Sequence, residues 1–444
     1  MSREKRNDRR SRSEAPTPVI YEADESLLAE ARARGQNALR VISRLQRSGH
    51  EAYLVGGCVR DLLIGRAPKD FDVATSARPR QAKRLFRTGR IIGRRFRLVH
   101  VRYGDEIIET ATFRRAPQET RPGGELLITE DNEYGTAAED AVRRDFTVNG
   151  LFLDPFNGEI LDFVGGMEDL DDRVLRTIGD PETRLLEDPV RILRAIKFST
   201  RLDFRIDDET WVAMGRCAAD LDRSAPPRIL EEILRLLRSG TAMGAFKQLR
   251  SCTALEPIFP ALHTHLERIK SSPDSEAKLH TFWRLLEALD ADVQSGERPS
   301  NAVLVALMIH DMVDATAPLE TDELQGASIR AIARAADTTL EPFTRAARLP
   351  RKDASKARRL LTLQGRFTLQ GKQNFRPLLF CLMEDFEDAL ALFRIRSRAR
   401  GRGYDIYQGW VDRLLQASEL SEEEVLAERK RGRRRKRRRR KRRK

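Results

Sequence analysis

At 444 residues the chain is long enough for two or three domains, each with a core of its own. Charged residues make up 34% of it and aromatics only 6%, and the net charge of +14 is uneven, because the fifteen Lys and Arg residues between Arg429 and Lys444 leave the rest at −1. The sequence argues against an exported, zinc-built or membrane-spanning protein. Cys58, Cys217, Cys252 and Cys381 are scattered without Cys-x-x-Cys spacing, Met1 to Ala15 is charged, and apolar runs such as Ala302 to Ile309 are too short to span a bilayer.

Residues 1–35 begin with a basic, Ser-rich extension expected to be mostly disordered. Ala38, Leu39, Val41, Ile42 and Leu45 then mark an amphipathic helix ending near Gly49. Leu54-Val55 reads as a strand, Gly56-Gly57 as a turn, and Val59-Arg60-Asp61 as the start of a helix. Asp70-Phe71-Asp72 opens a second short strand, on which period-2 alternation puts Asp70 and Asp72 on one face. Two carboxylates pointing one way can hold divalent metal ions. Glycines without side chains let backbone N–H groups approach a triphosphate, so the combination is a candidate nucleotidyl-transfer site.

A helix through Gln81 to Arg87 follows, then a hairpin of Arg97 to Val101 and Glu106 to Phe113 around Gly104-Asp105, with a type II′ turn favoured by Gly in first place. On its second strand Ile107, Glu109, Ala111 and Phe113 share a face, so Glu109 lies either at a rim or toward a metal site. After a Gly-, Pro- and Glu-rich loop, a helix from Thr136 to Arg144 leads into Arg143-Arg144-Asp145-Phe146-Thr147-Val148-Asn149 and a strand pair closing near Gly165-Gly166. From Met167 the pattern is helix after helix. Within it, Pro189 suits a first helical position, which makes Asp188 an N-cap and puts an exposed Arg191 on the first turn. His310-Asp311 reads as a helix-end pair, since His50, His100, His263, His265 and His280 supply no convincing set of further metal ligands. The Arg429–Lys444 block repels itself and buries nothing, so it reads as a disordered arm that traps polyanions; no neighbouring apolar anchor supports a membrane role.

In the order strand, Gly-Gly, Val-Arg-Asp, Lys-Asp-Phe-Asp, these motifs resemble the polymerase-beta-type nucleotidyltransferases, specifically the bacterial group of tRNA CCA-adding enzymes and poly(A) polymerases. The resemblance implies an α+β fold: a nucleotidyltransferase head with a small mixed sheet, an all-helical neck and body, and disordered basic termini. It divides the chain into the extension (1–35), head (36–168), neck (169–240), RNA-binding body (241–418) and arm (419–444). Asp70, Asp72 and Asp145 would be catalytic, and Asp70 and Asp72, with Glu109 as third carboxylate, would hold two magnesium ions. Gly56, Gly57, Arg60, Arg143, Arg144, Asp188 and Arg191 would bind the ATP substrate.

As a base reader, the Asp188 carboxylate accepts from an exocyclic amine while Arg191 donates to the adjacent ring nitrogen. Adenine and cytosine both offer that pair, so the motif leaves ATP-only and ATP-plus-CTP enzymes unseparated. The segment Ile91 to Val101 and the basic C-terminus resemble those of the poly(A) polymerases rather than their CCA-adding relatives. The expectation is therefore template-independent addition of AMP to RNA 3′ ends in a bacterial cytoplasm, with no membrane and with protein partners unknown. The alternatives are tRNA CCA addition and a non-catalytic RNA-binding protein acting through the arm.

Overall fold

The computed structural model describes residues 16–93, 97–115, 133–271, 275–317, 329–368, 375–421 and 423–425. Contacts divide the chain into two units, one of Met1–Arg191 with Asp203–Arg216, the other of Ile192–Leu202 with Cys217–Lys444.

The first unit is built on a mixed sheet of eight short strands: β1 (Val19–Glu22), β2 (Ala52–Val55), β3 (Val73–Thr75), β4 (Arg90–Ile92), β5 (Leu98–Tyr103), β6 (Glu106–Thr112), β7 (Leu151–Asp154) and β8 (Glu159–Asp162). Their order is β1-β8-β7-β2-β3-β6-β5-β4, and only β3 and β6 pair in parallel. Phe113 and Phe152 are fully buried with Val55, Ala74 and Ala141, and Tyr53 and Phe163 pack against them. The ring pairs lie about 6 Å apart, edge to face or stacked, and pack the neighbouring strands β2 and β7 against the residue that follows β6. Gly104 has a φ of 59° in the β5–β6 turn and Asp105 has none in the left-handed region, as the expected type II′ connection requires.

The first unit's helices are α1 (Glu25–Arg34), α2 (Gln36–Arg47), α3 (Gly57–Leu63), α4 (Pro79–Leu85), α5 (Ala137–Val142), α6 (Gly166–Asp171) and α7 (Pro181–Glu187); α8 (Val190–Leu202) crosses from one unit into the other, and α9 (Asp208–Cys217) belongs to the first in all but its last residue. Helix α2 buries Ala38, Val41, Ile42 and Leu45 and leaves Arg40, Arg44 and Arg47 exposed. At roughly 1.5–3 kcal/mol for each fully buried Val, Ile or Leu, that stripe seats the helix.

Several expectations are corrected. The extension is ordered from β1 onward: β1 pairs along its whole length with β8, and α1, N-capped by Asp24, buries Leu27, Leu28 and Ala31. Its abundant charges lie on the exposed side of that helix and mask a short apolar stripe. Asp70 and Asp72 precede the strand they were expected to open, since β3 begins at Val73. The chain after Met167 is not purely helical: two short strands, β9 (Val174–Leu175) and β10 (Arg205–Ile206), pair in parallel. By contacts, the first unit takes in both of these strands.

The second unit contains helices and no strand among its described residues. Phe367, Phe380, Phe386 and Trp410 form a ring cluster, and Trp410 Nε1 donates to the Phe367 carbonyl at 3.0 Å. The helix Asn301–Thr316 is buried along most of its length, and His310 lies within it, fully buried, rather than at a helix end. Among the described residues no helix is long and apolar enough to cross a membrane.

Candidate active site

Strand β2 ends in a backbone turn that only glycine adopts comfortably. Gly56 has φ 73° and ψ −126°, and a Cβ there would come within 3.2 Å of the Arg144 guanidinium. Gly57 starts α3. Cys58 behind it is fully buried with its thiol pushed up to about 11, which leaves it a packing residue rather than a nucleophile.

Asp70 and Asp72 stand in the extended stretch that runs into β3. Phe71 and Val73 are buried between and after them, so alternation still turns both aspartates outward, as expected from the sequence. The Asp72 carbonyl accepts from Val55 N at 3.1 Å, tying this stretch to the end of β2. Because β3 and β6 run parallel with Val73 opposite Thr110, the preceding residues Asp72 and Glu109 are brought side by side. Glu109 also lies 3.5 Å from His100, its partner across β5 and β6. Asp72 is exposed at the surface, yet protein crowds its carboxylate from behind, and the water this displaces, then the Glu109 carboxylate and finally Asp70 push it up to about 6 against the opposing pull of Arg144.

Arg144, which acts on Asp72, belongs to a group of arginines. Asp140 on α5 accepts from Arg144 Nε and Nη2 at 3.1 and 2.8 Å and from the Arg114 amide at 3.1 Å. The Arg144 guanidinium lies over the Phe152 ring, 5.1 Å from its centre. Arg184 Nη2 donates to the carbonyls of Arg143 and Arg144 at 2.7 and 3.0 Å, and Arg191 donates to the carbonyls of Arg184 and Arg143 at 2.7 and 3.3 Å. Burial and the neighbouring Arg114, Arg144, Arg191 and Arg184 push Arg143 down to about 9; burial and Arg191 push Arg184 down to about 10. Arg114, Arg143, Arg144, Arg184 and Arg191 thus gather around two carboxylates, Asp140 and Glu187, an excess of positive charge whose Arg forks match the shape of a polyanion such as a triphosphate.

Asp145 Oδ1 accepts from Phe146 N at 2.9 Å and from Asn149 Nδ2 at 3.0 Å. Asn149 is in turn held by Arg60, which also grips Asp61 through Nε and Nη2 at 2.9 and 2.5 Å. Arg60, expected to bind nucleotide, is only 2% exposed, and its guanidinium positions Asn149 and through it Asp145. Asp188 closes α7, and its carbonyl accepts from Arg191 N at 3.0 Å; the next helix begins at Val190, one residue after the expected start. Arg191 is 8% exposed rather than exposed, because its side chain turns back onto the chain. Sequence reasoning missed Arg114, Arg184, Asp140 and Asn149. Asn149 closed a quoted motif, whereas Arg114 and Arg184 carried no local signal.

Among the described residues no three His, Cys, Asp or Glu side chains make a preformed metal cage. Asp70, Asp72 and Glu109 nonetheless fit magnesium: they are hard oxygen donors whose mutual repulsion a cation relieves, and this ion keeps waters and takes phosphate ligands from substrate. Arg94-Arg95-Phe96 of the Ile91 to Val101 segment, and the Arg429–Lys444 arm, lie outside the described residues.

Three family models match the chain: "Poly A polymerase head domain" over residues 52–176, "Probable RNA and SrmB- binding site of polymerase A" over 203–266, and "Polymerase A arginine-rich C-terminus" over 325–444. Poly(A) polymerase I of Salmonella typhi is 38% identical over 402 residues, covering 87% of this chain and 84% of the relative. The chain belongs to the bacterial poly(A) polymerase family. Membership makes it a nucleotidyltransferase, a polynucleotide adenylyltransferase that polyadenylates without a template. The poly(A) polymerase head match contains Gly56, Gly57, Asp70, Asp72, Glu109, Arg143, Arg144 and Asp145, while Asp188 and Arg191 follow it. CCA-adding enzymes are kin: that of Lactobacillus delbrueckii subsp. bulgaricus is 35% identical, covering 57% of this chain and 63% of the relative. The crystal structure of Bacillus stearothermophilus CCA-adding enzyme in complex with CTP matches with a TM-score of 0.62 at 26% identity, covering 86% of this chain and 82% of that one.

Proposed function

We propose that the enzyme transfers AMP from ATP to the 3′-hydroxyl of RNA. The 3′-hydroxyl gives its proton to solvent, its oxygen bonds to the α-phosphorus as the bond from that phosphorus to the β-phosphate bridge breaks, and pyrophosphate leaves. The observation that carries this reading is the gathering of Asp70, Asp72 and Glu109, which raises Asp72, beside an arginine group that reaches them through Arg144.

In this reading the three carboxylates hold two magnesium ions, which when bound neutralise triphosphate charge and lower the pKa of the attacking hydroxyl. Gly56 and Gly57 leave the backbone open to the phosphates. Arg143 and Arg144 lie along the triphosphate, and Asp145, oriented by Asn149, accepts from a ribose hydroxyl. Asp188 accepts the adenine amine. Arg191 donates to the ring nitrogen while keeping Arg143 and Arg184 in place, since its five N–H donors exceed the two carbonyl contacts and the Glu187 contact it makes. RNA 3′ ends are bound partly through the arm, in a bacterial cytoplasm.

Incubating the protein in magnesium with an RNA of arbitrary 3′ base and each nucleotide in turn tests the reading. Expected is a long homopolymer from ATP and poor use of CTP. Self-limiting addition of C-C-A to a truncated tRNA would establish CCA addition instead, and RNA binding without any incorporation would leave a binding protein.

A further inference from the structure

We propose that an arginine-lined groove on the first unit binds the backbone of single-stranded RNA, upstream of the 3′ end that reacts. The groove is a shallow, open depression of about 730 Å³ lined by Arg32 of α1, by Arg40, Ser43, Arg44 and Arg47 of α2, and by Phe156 of the β7–β8 turn, with no carboxylate in its lining. Spacings of four and three residues put Arg40, Arg44 and Arg47 on one helix face over roughly 10 Å. Among the described residues these three make no ion pair, whereas Arg32 is held by Glu25 at 2.6 Å. In a chain whose body is nearly neutral, three cations without an ion pair, Arg40, Arg44 and Arg47, around one groove are a local excess that phosphates match.

The aromatic at the rim is held in place. Asp154 accepts from the amides of Phe156 and Asn157 at 2.9 and 3.3 Å, and its other oxygen accepts from Gln46 of α2 at 3.0 Å. The turn is thereby fastened to the arginine helix, and Phe156 stays 52% exposed beside it. Guanidinium groups along a track with a fixed aromatic at its edge suit a single strand, whose phosphates pair with the arginines while an unstacked base lies on the ring. None of the residues that line the groove is among those assigned to the chemistry described above.

The inference rests on RNA being the substrate, so it is tested by binding rather than by turnover. In the full chain, the triple variant Arg40→Gln, Arg44→Gln, Arg47→Gln should bind a long single-stranded RNA with a log–log salt slope smaller by about 2, at about 0.7 for each lost phosphate contact. A triple Lys variant at the same positions should keep most of the slope, which separates lost charge from lost folding. Phe156→Ala should weaken single-strand binding about fivefold or more without affecting a blunt duplex. KM for ATP and kcat at saturating RNA should not change. An unchanged slope in the Gln variant overturns the proposal, as does loss of binding to phosphatidylserine vesicles with RNA binding intact. Failure of the protein to extend any RNA would count against the proposed reaction and leave the slope measurement standing.

Discussion

At the scale of single residues, Asp72 carries opposite demands. Asp72→Asn should lower AMP incorporation by about a thousandfold, on the order of 4 kcal/mol in the barrier. The same change should stabilise the protein in magnesium-free buffer. A carboxyl held at about 6 against an ordinary 3.8 binds protons more tightly folded than unfolded, so its ionised form opposes folding above that range. The gain in Tm should be full at neutral pH and shrink as pH falls from about 6 toward 4; an equal gain at every pH would show that the charge is not responsible. Gly56→Ala tests the glycine turn next to the Asp72 stretch. With φ at 73° and Arg144 in the way, it should cost about 1–3 kcal/mol in urea unfolding and lower activity further. Asp70, Asp72 and Gly56 were legible in the sequence because alternation and a glycine pair act locally. Arg184 was not, since it meets Arg143 from 41 residues away and only folding brings the two together.

At the scale of elements, legibility followed periodicity. Helix α2 and the β5–β6 hairpin stood out by regular apolar spacing, whereas β1 and α1 were hidden by charges that dominate the composition of a helix with only a narrow buried stripe. The His310-Asp311 pair was placed at a helix end because nothing local marks it as interior, yet its helix is apolar on nearly every side. Burial, with Arg396 nearby, pushes His310 below its ordinary 6.5, while Asp311, 3.2 Å away, opposes that shift. Folded His310 therefore resists a proton that the unfolded chain accepts. The stability it supports is fully present above 6.5 and is lost as pH falls toward the depressed folded value. Comparing wild type with His310→Leu by urea unfolding should show a steeper loss below pH 6.5 in the wild type, by up to about 1.4 kcal/mol per pH unit. Parallel curves would mean that the ring takes up its proton without unfolding.

For the whole molecule, the distribution of charge predicts that holding RNA and reacting with it are separable. The fifteen positive residues from Arg429 to Lys444 fall within the match to the arginine-rich C-terminus, and the remainder of the chain is close to neutral. Such a segment binds phosphates without sequence preference, and tethering a substrate raises its local concentration without altering the catalytic groups. Removing residues 429–444 should therefore raise KM for RNA and shorten the products while leaving kcat at saturating RNA nearly unchanged. It should also flatten the salt dependence of binding by about 0.7 in the log–log slope for each phosphate released. If the α2 groove and the arm hold different stretches of one strand, the slope losses of the truncation and of the triple Gln variant should add, because the contacts are independent. A combined variant that loses no more than the truncation alone would show instead that both compete for the same phosphates.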